Sequence, residues 1–337
     1  VADGGEGTVG TLVAATGGRL ERRRVTGPLP EHKVDAAFGV SGDGRTAFVE
    51  MAAASGLALL ATADRDPLAT TTFGTGELLV AAAALGVRDI VLGIGGSATI
   101  DGGIGCAQAA GLPVLLAEGE PSSMTEPLCG RDLERVVLVK HGRGSLVERC
   151  RVTVACDVTN PLCGPAGAAA VYGPQKGATP AQVAWFDRQL HGLAERTGKL
   201  AEAAAPGAGA AGGFGFGLLA YWPNATLRPG VDVVFDALHL RERLAGADLV
   251  VTGEGRLDAS SLHGKAPVGV ARLCRELGVP CVAVVGSTDS AIAGEAAGLF
   301  RQVFAVQTSG MTLEEAITRG PARLGELGEQ LAWTMLI

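Results

Sequence analysis

The chain has 337 residues, 47% of them hydrophobic and only 4% aromatic, which at ~150 residues per domain suggests two domains with aliphatic cores. A net charge of −7 and no basic run longer than Arg22-Arg23-Arg24 argue against nucleic acid as a partner, and no apolar run is long enough to cross a membrane. The 51 glycines follow no period, which excludes a collagen-like chain, and seven cysteines without a C-x-x-C pair fit a reduced, cytoplasmic protein.

The predicted elements run as follows. Thr8–Gly17 reads as a short helix closed by glycine. Val34–Val40 and Thr46–Met51 are strands on either side of Ser41-Gly42-Asp43-Gly44, a hairpin signal. Gly74–Leu85 is a helix stopped by Gly86, and Asp89–Leu92 is a buried strand that feeds the loop GIGGSATIDGG. Gly111–Glu126 is partly loop, and Arg135–Lys140 and Arg151–Ala155 are short strands. Thr179 caps a helix over Pro180–Arg196 with proline at its first position. Ala201–Gly215 reads as an Ala/Gly loop before a short helix at Phe216–Trp222. From Val231 the pattern alternates: helix Phe235–Leu244, strand Asp248–Thr252, helix Ala266–Leu277, strand Cys281–Val285, helix Ala291–Ala297, strand Arg301–Val306, and a last helix from Leu313. Such alternation argues for an α/β fold with a three-layer parallel sheet, whose ligands sit beyond the carboxyl ends of the strands.

Four loops combine glycine with a carboxylate and a hydroxyl or amide: ADGGEGT (Ala2–Thr8), GIGGSATIDGG (Gly93–Gly103), ACDVTNP (Ala155–Pro161) and VTGEGRLD (Val251–Asp258). Glycine lets backbone N–H groups approach a ligand, clustered N–H groups attract phosphate, and neighbouring carboxylates hold Mg²⁺. The chain opens at Val1 directly on the first of these loops, and a preceding segment is expected. Glu254, Arg256 and Asp258 crowd the end of one apolar strand, a pattern more typical of a site than of a solvated turn. For several residues a structural role competes. Asp157 and Asn160 fit an Asx turn before Pro161, Ser97 and Thr99 fit helix caps, and Lys176 fits a solvated loop lysine. Gly93-x-Gly95-x-x-Ala98 matches a dinucleotide-binding pattern, but no acidic residue ends a second strand about 20 positions on. Gly207-x-Gly209-x-x-Gly212 follows Pro206 rather than a strand, and Gly264-Lys265 is followed by Ala266, so no P-loop is present.

Taken in order, VADGGEGT, EMAAASGLAL, TTFGTGEL, GIGGSAT-DGG, ACDVTNPLCGP, VYGPQKGA, PGAGAAGGFGFGL and VTGEGRLD resemble the type I glycerate kinase family from Ala2 to about Gly286. The resemblance implies ATP-dependent phosphorylation of D-glycerate at its 2-hydroxyl, with Mg²⁺. It implies two α/β domains around a cleft, one Rossmann- or flavodoxin-like over residues 1–10 and 226–337, the other inserted over residues 11–225. A monomer or homodimer without nucleic acid or membrane partners is expected. Two positions depart from the family pattern: Ile100 stands where Asn is usual and Ser260 where Gln is usual. An aliphatic Ile100 in the site would weaken or alter substrate binding.

On this reading Asp157, Asp258 and Lys265 carry the chemistry, and Asp157, Glu254 and Asp258 are the Mg²⁺ candidates. Asp3, Gly4, Gly5, Glu6, Ser97, Thr99, Asp101 and Asn160 are expected at the substrate. Gly95, Gly96, Gln175, Lys176, Gly209, Gly212, Gly213 and Arg256 are expected at ATP. The alternatives are an NAD(P)-dependent dehydrogenase of a small hydroxy acid, resting on Gly93-x-Gly95-x-x-Ala98, and a catalytically impaired paralogue that senses glycerate or nucleotide.

Overall fold

The computed structural model describes residues 7–117, 119–140, 145–263, 266–289, 291 and 293–335. Eleven strands are found among them: β1 (Arg19–Thr26), β2 (Lys33–Val40), β3 (Thr46–Glu50), β4 (Asp89–Gly93), β5 (Val114–Leu116), β6 (Val136–Val139), β7 (Arg151–Ala155), β8 (Ala225–Arg228), β9 (Val250–Leu257), β10 (Cys281–Thr288) and β11 (Gln302–Ala305). The chain divides into two compact units, the larger reaching Val234 and the smaller starting at Phe235. Both are α/β.

The larger unit is built on a six-stranded sheet in the order β1-β2-β3-β4-β7-β8. The β1–β2 and β2–β3 pairs are antiparallel, and β3, β4, β7 and β8 run parallel. Their registers align Glu50 with Gly93, Gly93 with Ala155, and Ala155 with Arg228. The loops that leave β4 and β7 therefore start side by side on the carboxyl edge of the sheet, where ligands bind in folds of this type. Under them lies one apolar core that includes Phe38, Leu78, Leu92, Val154, Phe186, Leu190 and Phe214. The helix Pro180–Arg196 follows its sequence signals closely. Thr179 Oγ1 accepts from the Gln182 N–H at 3.2 Å and Gln182 Oε1 accepts from the Thr179 N–H at 2.8 Å, a reciprocal cap. The helix buries Phe186, Leu190, Leu193 and Ala194, one face at helical spacing.

Two segments of this unit differ from the sequence expectation. The charged stretch Glu21–Arg24 lies within β1, which pairs with β2 from Arg19 opposite Val40 to Thr26 opposite Lys33. Arg19 and Arg23 both reach Glu21, and the Arg23 guanidinium lies 5.8 Å from the Phe38 ring centroid. Among the described residues β1 is an outer strand, and a row of arginines guards it against pairing with another edge. Ala201–Gly215 is not a loop. It is spanned in large part by the helices Leu200–Ala204 and Ala210–Tyr221, the second interrupted by left-handed backbone at Ala211, Gly212 and Gly213. Its glycines admit close packing: a Cβ on Gly212 would lie 1.9 Å from the Thr99 carbonyl oxygen, and one on Gly209 2.2 Å from that of Pro161. The helix Thr8–Ala15 forms where the sequence places it and packs on β2 and β3.

The smaller unit holds a parallel sheet in the order β11-β10-β9. Most of TGEGRLD is strand rather than loop, because β9 pairs with β10 from Val250 opposite Cys281 to Leu257 opposite Thr288. Gly253 permits this approach, since a Cβ there would lie 2.1 Å from the Val284 carbonyl oxygen. The predicted helix Phe235–Leu244 is two helices, Gly230–Ala237 and Leu240–Leu244, broken at His239 with φ 48°. Ala266–Leu277 and Leu313–Met335 are helices as expected. No helix of the described residues is long and apolar enough to cross a membrane.

Candidate active site

At the carboxyl edge of β4 and β7 the larger unit encloses a pocket of about 390 Å³. The loop after β4 supplies Ile94, Gly95, Gly96 and Ser97, and the loop after β7 supplies Cys156, Asp157 and Val158. Tyr172, Gln175, Lys176, Ala210 and Ala211 close the other side. The β4 loop is pinned from outside: the Leu57 N–H donates to the Gly96 carbonyl at 2.8 Å and the Ala98 N–H to the Ser55 carbonyl at 2.9 Å. It is held from inside by Asp101. One Asp101 oxygen accepts from the Thr72 N–H and hydroxyl, each at 2.7 Å, and the other from the Gly103 N–H at 3.1 Å. Asp101 is fully buried, and burial raises its pKa above the ordinary carboxylate value against the pull of those donors. It fixes the shape of the loop from beneath.

Lys176, expected at ATP, is buried rather than solvated. It ends the tight turn Pro174–Lys176, after which Gly177 takes φ 94° with no space for a Cβ beside the Arg65 carbonyl. The turn drives the lysine inward, to 2% exposure. Its Nζ donates to Ser97 Oγ and to the Thr99 carbonyl, both at 2.7 Å. Burial pulls its pKa down to about 7, with the charge of Asp101 opposing. The folded state therefore holds this proton less tightly than the unfolded chain, so stability rises with pH between about 7 and 10.5. In the folded protein the ammonium needed to attract an anion is lost as the pH rises through about 7. Asp101 is the charged group acting on it, and Asp157 and Tyr172 line the same pocket. The apparent KM for an anionic substrate is expected to climb between about pH 6 and about pH 9, read from initial rates across that range.

The other expected residues are distributed as follows. Asp157 lies exposed at the pocket wall and accepts the Gly230 N–H at 2.7 Å. Asn160 accepts from the Tyr172 hydroxyl at 2.7 Å and donates to the Ala166 carbonyl at 2.8 Å, so it supports the wall behind Tyr172. Gln175 lines the pocket, and its carbonyl accepts from Arg65 at 3.3 Å. Gly95 and Gly96 are exposed to the pocket, whereas Gly209, Gly212 and Gly213 are buried in backbone packing. Thr99 is fully buried, and its hydroxyl has no partner among the described residues. In the smaller unit, Arg256 lies 3.7 Å from Asp258 and 3.9 Å from Asp289, and the Asp258 N–H donates to Ser261 Oγ at 3.1 Å. One carboxylate oxygen of Glu254 is buried without a partner among the described residues. Asp3, Gly4, Gly5, Glu6 and Lys265 lie outside the described residues. Tyr172 and Ala211 were not anticipated at the pocket. Nothing local in the sequence marks Ala211, which adopts φ 53°, as a wall residue.

Two sequence expectations are corrected here. Ile100 does not line the pocket: it is fully buried in the main core, so its aliphatic side chain packs where it stands rather than meeting a ligand. The dinucleotide pattern at Gly93-x-Gly95-x-x-Ala98 does not open a helix. The pinned segment Ile94–Gly103 intervenes, and the helix that follows, Ile104–Ala109, is short and wholly buried. A helix N-terminus facing a pyrophosphate is therefore missing from that loop.

The glycerate kinase family model matches residues 1–336. The chain belongs to the glycerate kinase family. It is 48% identical over 291 residues to the glycerate kinase of Haemophilus influenzae, covering 85% of this chain and 75% of that protein. It is 44% identical over 342 residues to the glycerate 2-kinase of Escherichia coli, covering 100% of this chain and 88% of that protein. The crystal structure of a candidate glycerate kinase 2 from Salmonella typhimurium LT2 superposes with a TM-score of 0.79 at 43% identity, over 98% of this chain and 88% of that one. A phosphotransferase of the glycerate kinase family, rather than a dehydrogenase, is what the motifs in series spell out.

Proposed function

We propose that the chain transfers the terminal phosphoryl group of ATP to the 2-hydroxyl of D-glycerate, giving 2-phosphoglycerate and ADP. The observation that carries this is the full-length match to a protein named glycerate 2-kinase, joined to a pocket that sets a buried lysine beneath exposed glycines. The hydroxyl oxygen forms the new bond to phosphorus, its proton leaves, and the bond to the ADP oxygen breaks. Little covalent chemistry falls to the protein, whose task is to position the reactants and balance their charge. Gly95 and Gly96 bring backbone close to anionic oxygens, and Ser97 and Lys176 supply a hydroxyl and a positive charge. Asp157 is the carboxylate of this pocket that takes the hydroxyl proton.

The residues fit Mg²⁺ as the metal. Among the described residues no three carboxylate, histidine or cysteine groups converge on one point, which disfavours an all-protein cage. Mg²⁺ does not need one: it keeps waters and uses one or two carboxylates together with the substrate phosphates. In the smaller unit Glu254, one oxygen of which is buried without a partner among the described residues, or Asp258 would hold it. When bound, it would neutralise charge on the phosphates of ATP.

The test is to identify the product by phosphorus NMR after incubation with D-glycerate, ATP and Mg²⁺, and to repeat it with Asp157→Asn. A true proton acceptor should lose about 10²–10⁴-fold in kcat. Activity within twofold of wild type would remove Asp157 from the chemistry and leave it a support for Gly230. Wild-type protein with no phosphoglycerate product would overturn the kinase reading and favour the sensing paralogue.

A further inference from the structure

Lys176 donates to two acceptors of the same turn, the Ser97 hydroxyl oxygen and the Thr99 carbonyl. A hydroxyl has one hydrogen to give and lone pairs to receive. Because the Ser97 oxygen receives from an ammonium, its own hydrogen is directed away from Lys176. Ser97 lines the pocket beside Gly95 and Gly96, and its hydroxyl donates to no acceptor among the described residues. Lys176 is only 2% exposed. Its charge therefore reaches a pocket ligand chiefly through the atom it polarises.

We infer that Lys176 is a positioning residue that fixes and polarises the Ser97 hydroxyl as a hydrogen-bond donor to an anionic oxygen bound in this pocket. The ligand chemistry is a carboxylate or phosphate oxygen, supplied by glycerate or by ATP. The inference rests on the kinase reading for the names of those ligands, but not for the geometry. Thr99 gives the arrangement its rigidity. Its carbonyl is the second acceptor, and the backbone of Gly212 packs directly against it. An anion placed next to Ser97 would also favour the charged form of Lys176, whose pKa burial has brought down to about 7. Binding above that pH should therefore draw in a proton. Asp101 already acts on this lysine, and Asp157 and Tyr172 face the same pocket. Uptake must be compared across variants rather than read from wild type alone.

The test is a double-mutant cycle by calorimetry, with D-glycerate alone and ATP alone titrated into wild type, Ser97→Ala, Lys176→Met and the double variant. Each single change is expected to weaken one of the two ligands by about 10–100-fold, the scale of a hydrogen bond to a charged group. The double variant should bind no more weakly than Lys176→Met, because the two residues act in series. The ligand that weakens identifies the anion as carboxylate or phosphate. Proton uptake, measured at about pH 8 in buffers of differing ionisation enthalpy, should fall in Ser97→Ala. Single losses that multiply in the double variant would overturn the proposal. So would unchanged binding of both ligands in folded variants. Should Lys176→Met fail to fold, Ser97→Ala decides alone: full wild-type affinity and proton uptake would refute the coupling. The product analysis in wild type separately decides whether the protein is a glycerate kinase, so the two failures can be told apart.

Discussion

Gly212→Ala is expected to lower the melting temperature by roughly 10 °C or to leave no folded protein. Gly212 sits at φ 68°, and an added Cβ would come within 1.9 Å of the Thr99 carbonyl oxygen and 2.8 Å of the Ile100 Cα. Both neighbours are backbone, so neither can swing aside. Left-handed backbone costs an L-residue about 1–2 kcal/mol, and overpacking adds about 1–3 kcal/mol. At about 2–4 °C per kcal/mol for a unit of this size, the sum gives the stated shift. Gly86→Ala is the control. Gly86 has φ 81° but nothing within 4 Å of an added Cβ, so only the conformational part remains. Calorimetric melting of both variants separates the two contributions. Equal shifts would mean that the helix Ala210–Tyr221 does not press on the Thr99–Ile100 backbone as described.

Ile100→Asn restores the residue usual in the family pattern, yet it is expected to destabilise the protein by about 3–5 kcal/mol without raising kcat. The side chain is fully buried in the main core. Removing a buried aliphatic group forfeits about 1.5–3 kcal/mol of apolar burial, and an amide in its place adds the desolvation of a polar group, about 1–3 kcal/mol in proteins. Denaturant melts and steady-state rates on the same preparation check both halves of the expectation. An unchanged midpoint with a raised kcat would return position 100 to the site.

The regular parts of the fold were legible because a single local signal dictated each. The Thr179–Gln182 cap with Pro180 and the Ser41–Gly44 hairpin appear where the residues put them, and the β/α alternation after Val231 is present with shifted bounds. The strand β1 was hidden because charges occupy both of its faces, which erases the alternation that marks a half-buried strand. The Ala201–Gly215 helices were hidden because glycine reads as a breaker, whereas here it admits backbone from elsewhere in the chain. The extension of β9 through Gly253 has the same cause. Site residues were legible as types and not as environments. Lys176 reads from sequence as a cation for ATP or as a solvated loop lysine, and its burial depends on Ser97 and Thr99, 79 and 77 positions away. Ile100 looked like a lesion in a polar loop, while the tertiary packing makes it core.

The arginines of β1 carry a further consequence for how the protein behaves in different solutions. Two copies meeting edge to edge along β1 would bring Arg19, Arg22, Arg23 and Arg24 of each close to those of the other, with Glu21 offsetting part of the charge, across the ~5 Å that separates paired strands. At physiological ionic strength the screening length is about 8 Å, and this repulsion survives; at about 1 M salt it is about 3 Å, and the repulsion is largely gone. The guard on this edge is thus a matter of the medium as much as of the chain, and its colloidal benefit fades in brine.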